Sequence, residues 1–173
     1  MYNLDKHKWI DVYMLPHMIL YDNKLIEMQL KILHRIIATN TLLYKIKKIN
    51  SPTCQFCQIH IQTIEHLLYE CIIVKNFWLQ LNDLWKKYYN QPLCSNHEVI
   101  IFGHVENFTD NIKENVVLMY AKKYIYDCKI KESQLSLLHF KNFIVNKLTI
   151  VLQTNCKLKA EYTHVLEFSR CLI

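Results

Sequence analysis

The hydrophobic positions of this chain recur with the period of helices, not of strands. Over residues 24–38, Lys24, Glu27, Lys31, His34 and Arg35 fall within about 100° of one another at the helical repeat. Leu25, Ile26, Met28, Leu30, Ile32, Leu33, Ile36 and Ile37 fill the rest of the circle. So wide an apolar arc predicts a well-buried helix, capped at its start by Asp22 or Asn23 and ended by Asn40 in the left-handed conformation. A second helix is predicted after Cys71, where Ile73, Phe77, Leu81, Leu84 and Tyr88 form a core stripe with Trp78 and Trp85 beside it, and Asn90-Gln91-Pro92 stops it. A third is predicted over 111–131 (Ile112, Val116, Met119, Tyr120, Lys123, Tyr124, Asp127). A fourth is predicted over 133–152 (Leu137, Phe140, Ile144, Leu148, Val151), with Ser133 as a candidate cap. The tail, 154–173, is more weakly helical, and Val99–Gly103 is an apolar run short enough to be either a strand or a packed turn.

These elements predict a mainly α protein, an irregular helical domain with few or no strands. They divide the chain into an aromatic N-terminal arm at 1–22, a helical domain at 23–90, a connector at 91–110 and a C-terminal helical region at 111–173. Within the arm, Trp9 and Ile10 are expected to cover the edge of the core.

Composition narrows the chemistry. Of 173 residues, 51% are hydrophobic, which suits a packed core, and there is one glycine, Gly103. Glycine-rich phosphate loops, dinucleotide fingerprints and a glycine-flanked nucleophilic serine are therefore excluded. Most tight hairpin turns are excluded too, unless asparagine takes the positive φ. Asp and Glu are dispersed, without the clustered carboxylates of a two-metal centre. The expectation is a chain that is not an enzyme. No run approaches the ~18 apolar residues of a membrane span, and the N-terminus lacks a continuous apolar signal region. An intracellular chain, cytoplasmic or nuclear, is expected, with no membrane partner and no small-molecule substrate.

The chemistry that remains is concentrated in TCQFCQIHIQTIEHLLYEC, residues 53–71. Cys54 and Cys57 stand two residues apart, and His66 and Cys71 follow. Three thiolates and an imidazole are the donor set of a closed, tetrahedral, structural zinc site, which leaves no position for water or substrate. His60 is a rival third ligand. His66 is preferred because Thr63-Ile64-Glu65-His66 reads as a helix start, with Thr63 as cap and Glu65 at the positive end of the dipole. On an ideal α-helix His66 and Cys71 lie about 140° apart, so Cys71 is expected at a bend or helix break. Cys94, Cys128, Cys156 and Cys171 have no metal spacing and are expected to stay reduced.

The net charge is +6, nearly all of it from lysine; Arg35 and Arg170 are the only arginines. Lys31, His34 and Arg35 on the first predicted helix, then Tyr44, Lys45, Lys47 and Lys48 before the metal loop, make a candidate surface for RNA or single-stranded DNA. With so little arginine it would use backbone contacts and stacking in preference to base-edge readout. The competing reading is a structural or protein-interaction domain in which the ion only rigidifies the chain.

Several pieces occur together: Gln29–Ile37, Thr39-Asn40, Leu43, Ser51-Pro52, the four ligands, Thr63–Leu67 and Phe77-Trp78. With Trp9, Leu15-Pro16 and Ile100–Gly103 they resemble the zinc-binding domain that follows reverse transcriptase in LINE-type, non-long-terminal-repeat retrotransposons. The resemblance is strong over 24–78 and looser over 79–155. It implies one structural zinc ion on Cys54, Cys57, His66 and Cys71, binding of element RNA or target DNA, and a parent polyprotein whose other domains are partners. The polymerase and endonuclease motifs of such a polyprotein have no counterpart in this chain.

Overall fold

A computed structural model of the protein describes residues 6–93, 96–154 and 156–171. It is mainly helical, with α1 (Lys6–Ile19), α2 (Asn23–Leu33), α3 (Asn40–Lys45), a π-helical turn (His66–Glu70), α4 (Ile72–Tyr89), α5 (His97–Phe102), α6 (Ile112–Ile130), α7 (Leu137–Leu152) and α8 (Lys159–Arg170). The β structure among the described residues is an isolated antiparallel bridge, Thr53 to Ile61. Cys94 lies outside the described residues; Cys128, Cys156 and Cys171 are free thiols. No helix among the described residues is long and apolar enough to cross a membrane.

α6 is the axle. Buried residues occupy all of its faces, from Ile112 to Lys129, as expected of a helix surrounded by others. It packs against α1, α2, α7, α8 and the π turn. One buried cluster runs from Val12 on α1 to Phe168 on α8, so all four segments read from the sequence contribute to the same core. Aromatic rings knit it: Phe77 of α4 meets Phe140 of α7 edge-on at 5.4 Å, and Trp85 meets Phe168 of α8 at 5.0 Å.

Several predicted boundaries shift, each for a local reason. The first predicted helix stops at Leu33, five residues early. Arg35 adopts φ 59, the Ile36 N–H returns to the Lys31 carbonyl (2.9 Å), and the Arg35 N–H to that of Ile32 (3.0 Å). This is a Schellman ending with arginine in the left-handed position usually given to glycine. Asn40 does not end that helix. It is the first residue of α3, whose cap is Thr39, accepting the Leu42 N–H. Ile36, expected in the core, is consequently exposed. Asp22 is the α2 cap, accepting the Lys24 and Leu25 N–H groups, and its carboxylate also pairs with Lys147 of α7 at 2.9 Å. The arm at 1–22 contains helix α1. Its Trp9 packs edge-on against Phe102, whereas Ile10 is largely exposed and is not part of the buried core. Val99–Phe102 belongs to α5, capped by Asn96. The helix predicted from 133 starts at Leu137. Ser133 follows a left-handed Glu132 in the preceding turn and is not its cap.

Gly103 ends α5 at φ 87, and a Cβ there would come within 2.6 Å of Leu15 and 2.9 Å of Asn115. The one glycine therefore stands where α5, α1 and α6 meet most closely.

Inside this junction Lys122 of α6 is fully buried. Its ammonium donates to Gln29 Oε1 (2.6 Å) and the Ile101 carbonyl (3.3 Å), ties α6 to α2 and α5, and forms no ion pair among the described residues. Burial pushes its pKa down from 10.5 to about 7. The folded chain thus releases this proton more readily than the unfolded chain. Stability contributed by the site should rise as pH climbs from about 7 to 10.5. Denaturant melts across that range are expected to show a smaller rise for Lys122→Met than for wild type.

Candidate metal centre and adjoining basic surface

The metal loop is built by local hydrogen bonding. The Gln62 N–H donates to the Pro52 carbonyl (2.9 Å) and the Cys54 N–H to that of His60 (2.8 Å), clamping the two arms antiparallel. Between them the Gln58 N–H closes on the Cys54 carbonyl (2.8 Å), and Gln58 takes φ 57. This turn places Cys54 and Cys57 on one side. Thr63 then starts the next helix as predicted, its hydroxyl accepting the His66 N–H at 3.0 Å.

The geometry that unites His66 with Cys71 is the π turn. The Cys71 N–H bonds the His66 carbonyl five residues back (3.0 Å). An i→i+5 closure widens the turn and brings residue i+5 back over residue i, so the 140° separation of an ordinary helix does not arise. Cys71 itself leaves helical geometry (φ −57, ψ 130), the expected break, and α4 begins immediately after it. The Trp78 indole donates to the Leu68 carbonyl (2.8 Å), satisfying an acceptor of the turn.

Cys54, Cys57, His66 and Cys71 present ligand atoms that all lie within 4.8 Å of one another. The Sγ atoms of Cys54 and Cys71 are 4.0 Å apart, and Cys57 Sγ is 3.4 Å from His66 Nε2. Cys54, His66 and Cys71 are buried and Cys57 is half-buried. This group can hold a metal ion. His60 is exposed and outside it, with its ring 5.6 Å from that of His66. The hydrogen-bonding contact between the Cys54 and Cys71 sulfurs draws the Cys54 pKa well below the thiol range against the effect of burial, helped by the backbone N–H groups of Cys57 and Phe56 and the Gln62 amide. The same contact, together with burial, raises Cys71, which the N–H groups of Val74 and Ile73 at the start of α4 oppose. Backbone donors therefore aim at both buried sulfurs, the arrangement that favours thiolates.

Gln62 gave no signal in the sequence. It is fully buried; its Nε2 donates to Cys54 Sγ (3.6 Å) and its Oε1 accepts the Asn40 N–H of α3 (3.0 Å). Glu65 has a second role beyond the helix start: it pairs with Arg35 at 2.7 Å. Burial raises its carboxyl pKa, but hydrogen bonding to Arg35 and that residue's charge outweigh this and hold it below the usual value.

The seven predicted nucleic-acid residues are all exposed but not equivalent. Lys31 pairs with Glu27 at 2.6 Å, Arg35 with Glu65, and His34 lies against Tyr13 with ring centroids 5.3 Å apart. Tyr44 and Lys45 on α3, with Lys47 and Lys48 in the turn that ends it, form a continuous basic segment. An open groove of about 590 Å³ between Gln55, Phe56, Gln58 and residues 132–135 is lined by one carboxylate, Glu132, and by no cysteine or histidine.

The ligand set makes a sharp forecast. After dialysis against metal-free buffer, His66→Ala should retain far less metal than wild type by elemental analysis, and His60→Ala should retain as much.

No protein-family model matches this chain, nor does any curated protein or solved structure.

Proposed function

We propose that the chain is a non-catalytic, zinc-stapled module that grips RNA or single-stranded DNA, of the kind that accompanies LINE-type reverse transcriptases. The observation that carries this reading is the closed Cys3His cluster joined directly to an exposed lysine-rich helix and turn.

Zinc is favoured by donor chemistry and by size. Zinc–sulfur bonds of about 2.3 Å and zinc–nitrogen bonds of 2.0–2.1 Å imply tetrahedral edges of roughly 3.8 Å between sulfurs and roughly 3.6 Å between sulfur and nitrogen. The corresponding separations here are 4.0 and 3.4 Å. All four positions are filled by protein, the pattern of a structural site with no open coordination position. The ion would staple the loop and add its binding energy to folding.

Lys45, Lys47 and Lys48 are exposed, and none is in an ion pair among the described residues. Tyr44 beside them offers an exposed ring. Lysines that track phosphates and a ring on which a base can stack are the parts of a sequence-tolerant single-strand grip. A second reading, docking onto another domain of a polyprotein, has its own support in α1. There Ile10, Met14 and Met18 recur every four residues and are all exposed, an apolar stripe without lysine.

The purified chain is expected to carry one zinc ion, and the Cys54→Ser/Cys57→Ser variant to lose it. In fluorescence anisotropy with a labelled oligoribonucleotide, wild type should bind with affinity that falls steeply with salt. Replacing Lys45, Lys47 and Lys48 with Gln should weaken binding and reduce the salt slope by about 2, at about 0.7 per phosphate contact on a single strand. Absence of binding at low salt, or an unchanged slope in the triple variant, would favour the docking reading.

A further inference from the structure

Helix α3, which carries Tyr44 and Lys45 and leads into Lys47 and Lys48, is half-buried over Asn40–Leu43, and its leucines are not among the side chains packed on the common core. None of its six residues is buried. A helix this short has no stability of its own, because one or two turns do not offset the entropy of nucleation. Something else must fix its place.

Its first turn is pinned to the metal loop by hydrogen bonds that converge on Gln62. The Asn40 N–H donates to Gln62 Oε1 (3.0 Å), and Thr41 donates to the Gln62 carbonyl through both its N–H (3.3 Å) and its hydroxyl (2.8 Å). Asn40 Nδ2 adds a bond to the Thr53 carbonyl (2.7 Å). The far side of the same Gln62 amide donates to Cys54 Sγ (3.6 Å), while its backbone N–H holds Pro52. Gln62 is wholly shielded from solvent, so a bond broken here is not replaced by bulk water, and each lost partner carries the full desolvation cost. One side chain thus touches a metal donor on one side and the helix carrying the basic segment on the other.

We propose that Gln62 is a positioning residue that couples metal occupancy to the geometry of the basic segment: the ion fixes Cys54, Cys54 orients the Gln62 side chain, and Gln62, through its amide oxygen and its main-chain carbonyl, holds the first turn of α3. This rests on the nucleic-acid reading for its consequence, because α3 carries the lysines, but the coupling itself is a property of the fold. A thiolate fixed by a cation is a strong, stationary acceptor for the amide N–H. A loop freed of the cation offers no such fixed partner, and α3 loses its anchor.

Hydrogen exchange on the full chain tests it. With zinc bound, amides of residues 43–48 should be protected. Chelation should raise their exchange at least tenfold while α7 and α8 exchange as before. Gln62→Leu keeps the four ligands and is loaded with zinc in excess, its occupancy checked by elemental analysis. In the loaded state it should nevertheless exchange faster than wild type over 43–48, although the Thr41 bonds to the main-chain carbonyl remain, and its oligoribonucleotide affinity should fall toward that of the Lys45/Lys47/Lys48 triple variant. Exchange over 43–48 as slow as in zinc-loaded wild type, in either chelated wild type or zinc-loaded Gln62→Leu, would overturn the coupling. If chelation unfolds the whole chain, the loaded variant alone decides. If zinc-loaded wild type binds no oligonucleotide, the nucleic-acid reading fails, and the exchange data still decide the coupling separately.

Discussion

Three sulfurs and an imidazole nitrogen brought within 4.8 Å of one another are the constraint on which the N-terminal half of this molecule depends. Donors crowded this closely repel one another as thiolates and waste buried hydrogen-bonding capacity as thiols. A cation at their centre resolves both problems. The surrounding backbone is prepared for the charge: N–H groups of Phe56 and Cys57 face one buried sulfur, and those of Ile73 and Val74 face another. The π turn spends a less favourable helical geometry to bring His66 and Cys71 together, and such turns recur at functional sites for this kind of reason.

From this loop order passes outward along three routes. Cys71 leads directly into α4, whose Phe77, Trp78 and Trp85 enter the common core. Glu65 reaches Arg35 and so ties the loop to the end of α2. Gln62 reaches α3. The C-terminal half is organised differently, by helices packed around α6, where the cost of burying Lys122 is offset only by neutral oxygen acceptors. A front built around a cluster able to hold a metal ion and an apolar back therefore share one core.

Much of this was legible in the residues. Periodicity located α2, α4, α6 and α7 because a wide apolar arc at helical spacing is hard to satisfy otherwise. The Cys54, Cys57, His66 and Cys71 group follows from donor type and spacing, with Thr63 marking the helix that holds His66. What escaped was backbone detail that a chain with one glycine must supply by other means. Arg35, Lys47, Gln58, Asn90, Asn107 and Glu132 all take positive φ, and only the two asparagines are residue types that favour it. An arginine gives no hint that a helix ends there, so α2 was read too long and Asn40 was assigned an ending it does not make. The short α5 escaped because a run of apolar residues does not distinguish strand from helix. The Gln62 hub and the Lys122 junction join residues 22 and 93 positions apart, and no local pattern announces either.

The proposed function requires a single zinc ion closed in a shell of Cys54, Cys57, His66 and Cys71. Zinc-edge X-ray absorption on the purified chain measures that shell directly. About three sulfur neighbours near 2.3 Å and one nitrogen near 2.0 Å are expected, unchanged in His60→Ala. A shell dominated by oxygen, or one with fewer than three sulfurs, would contradict it.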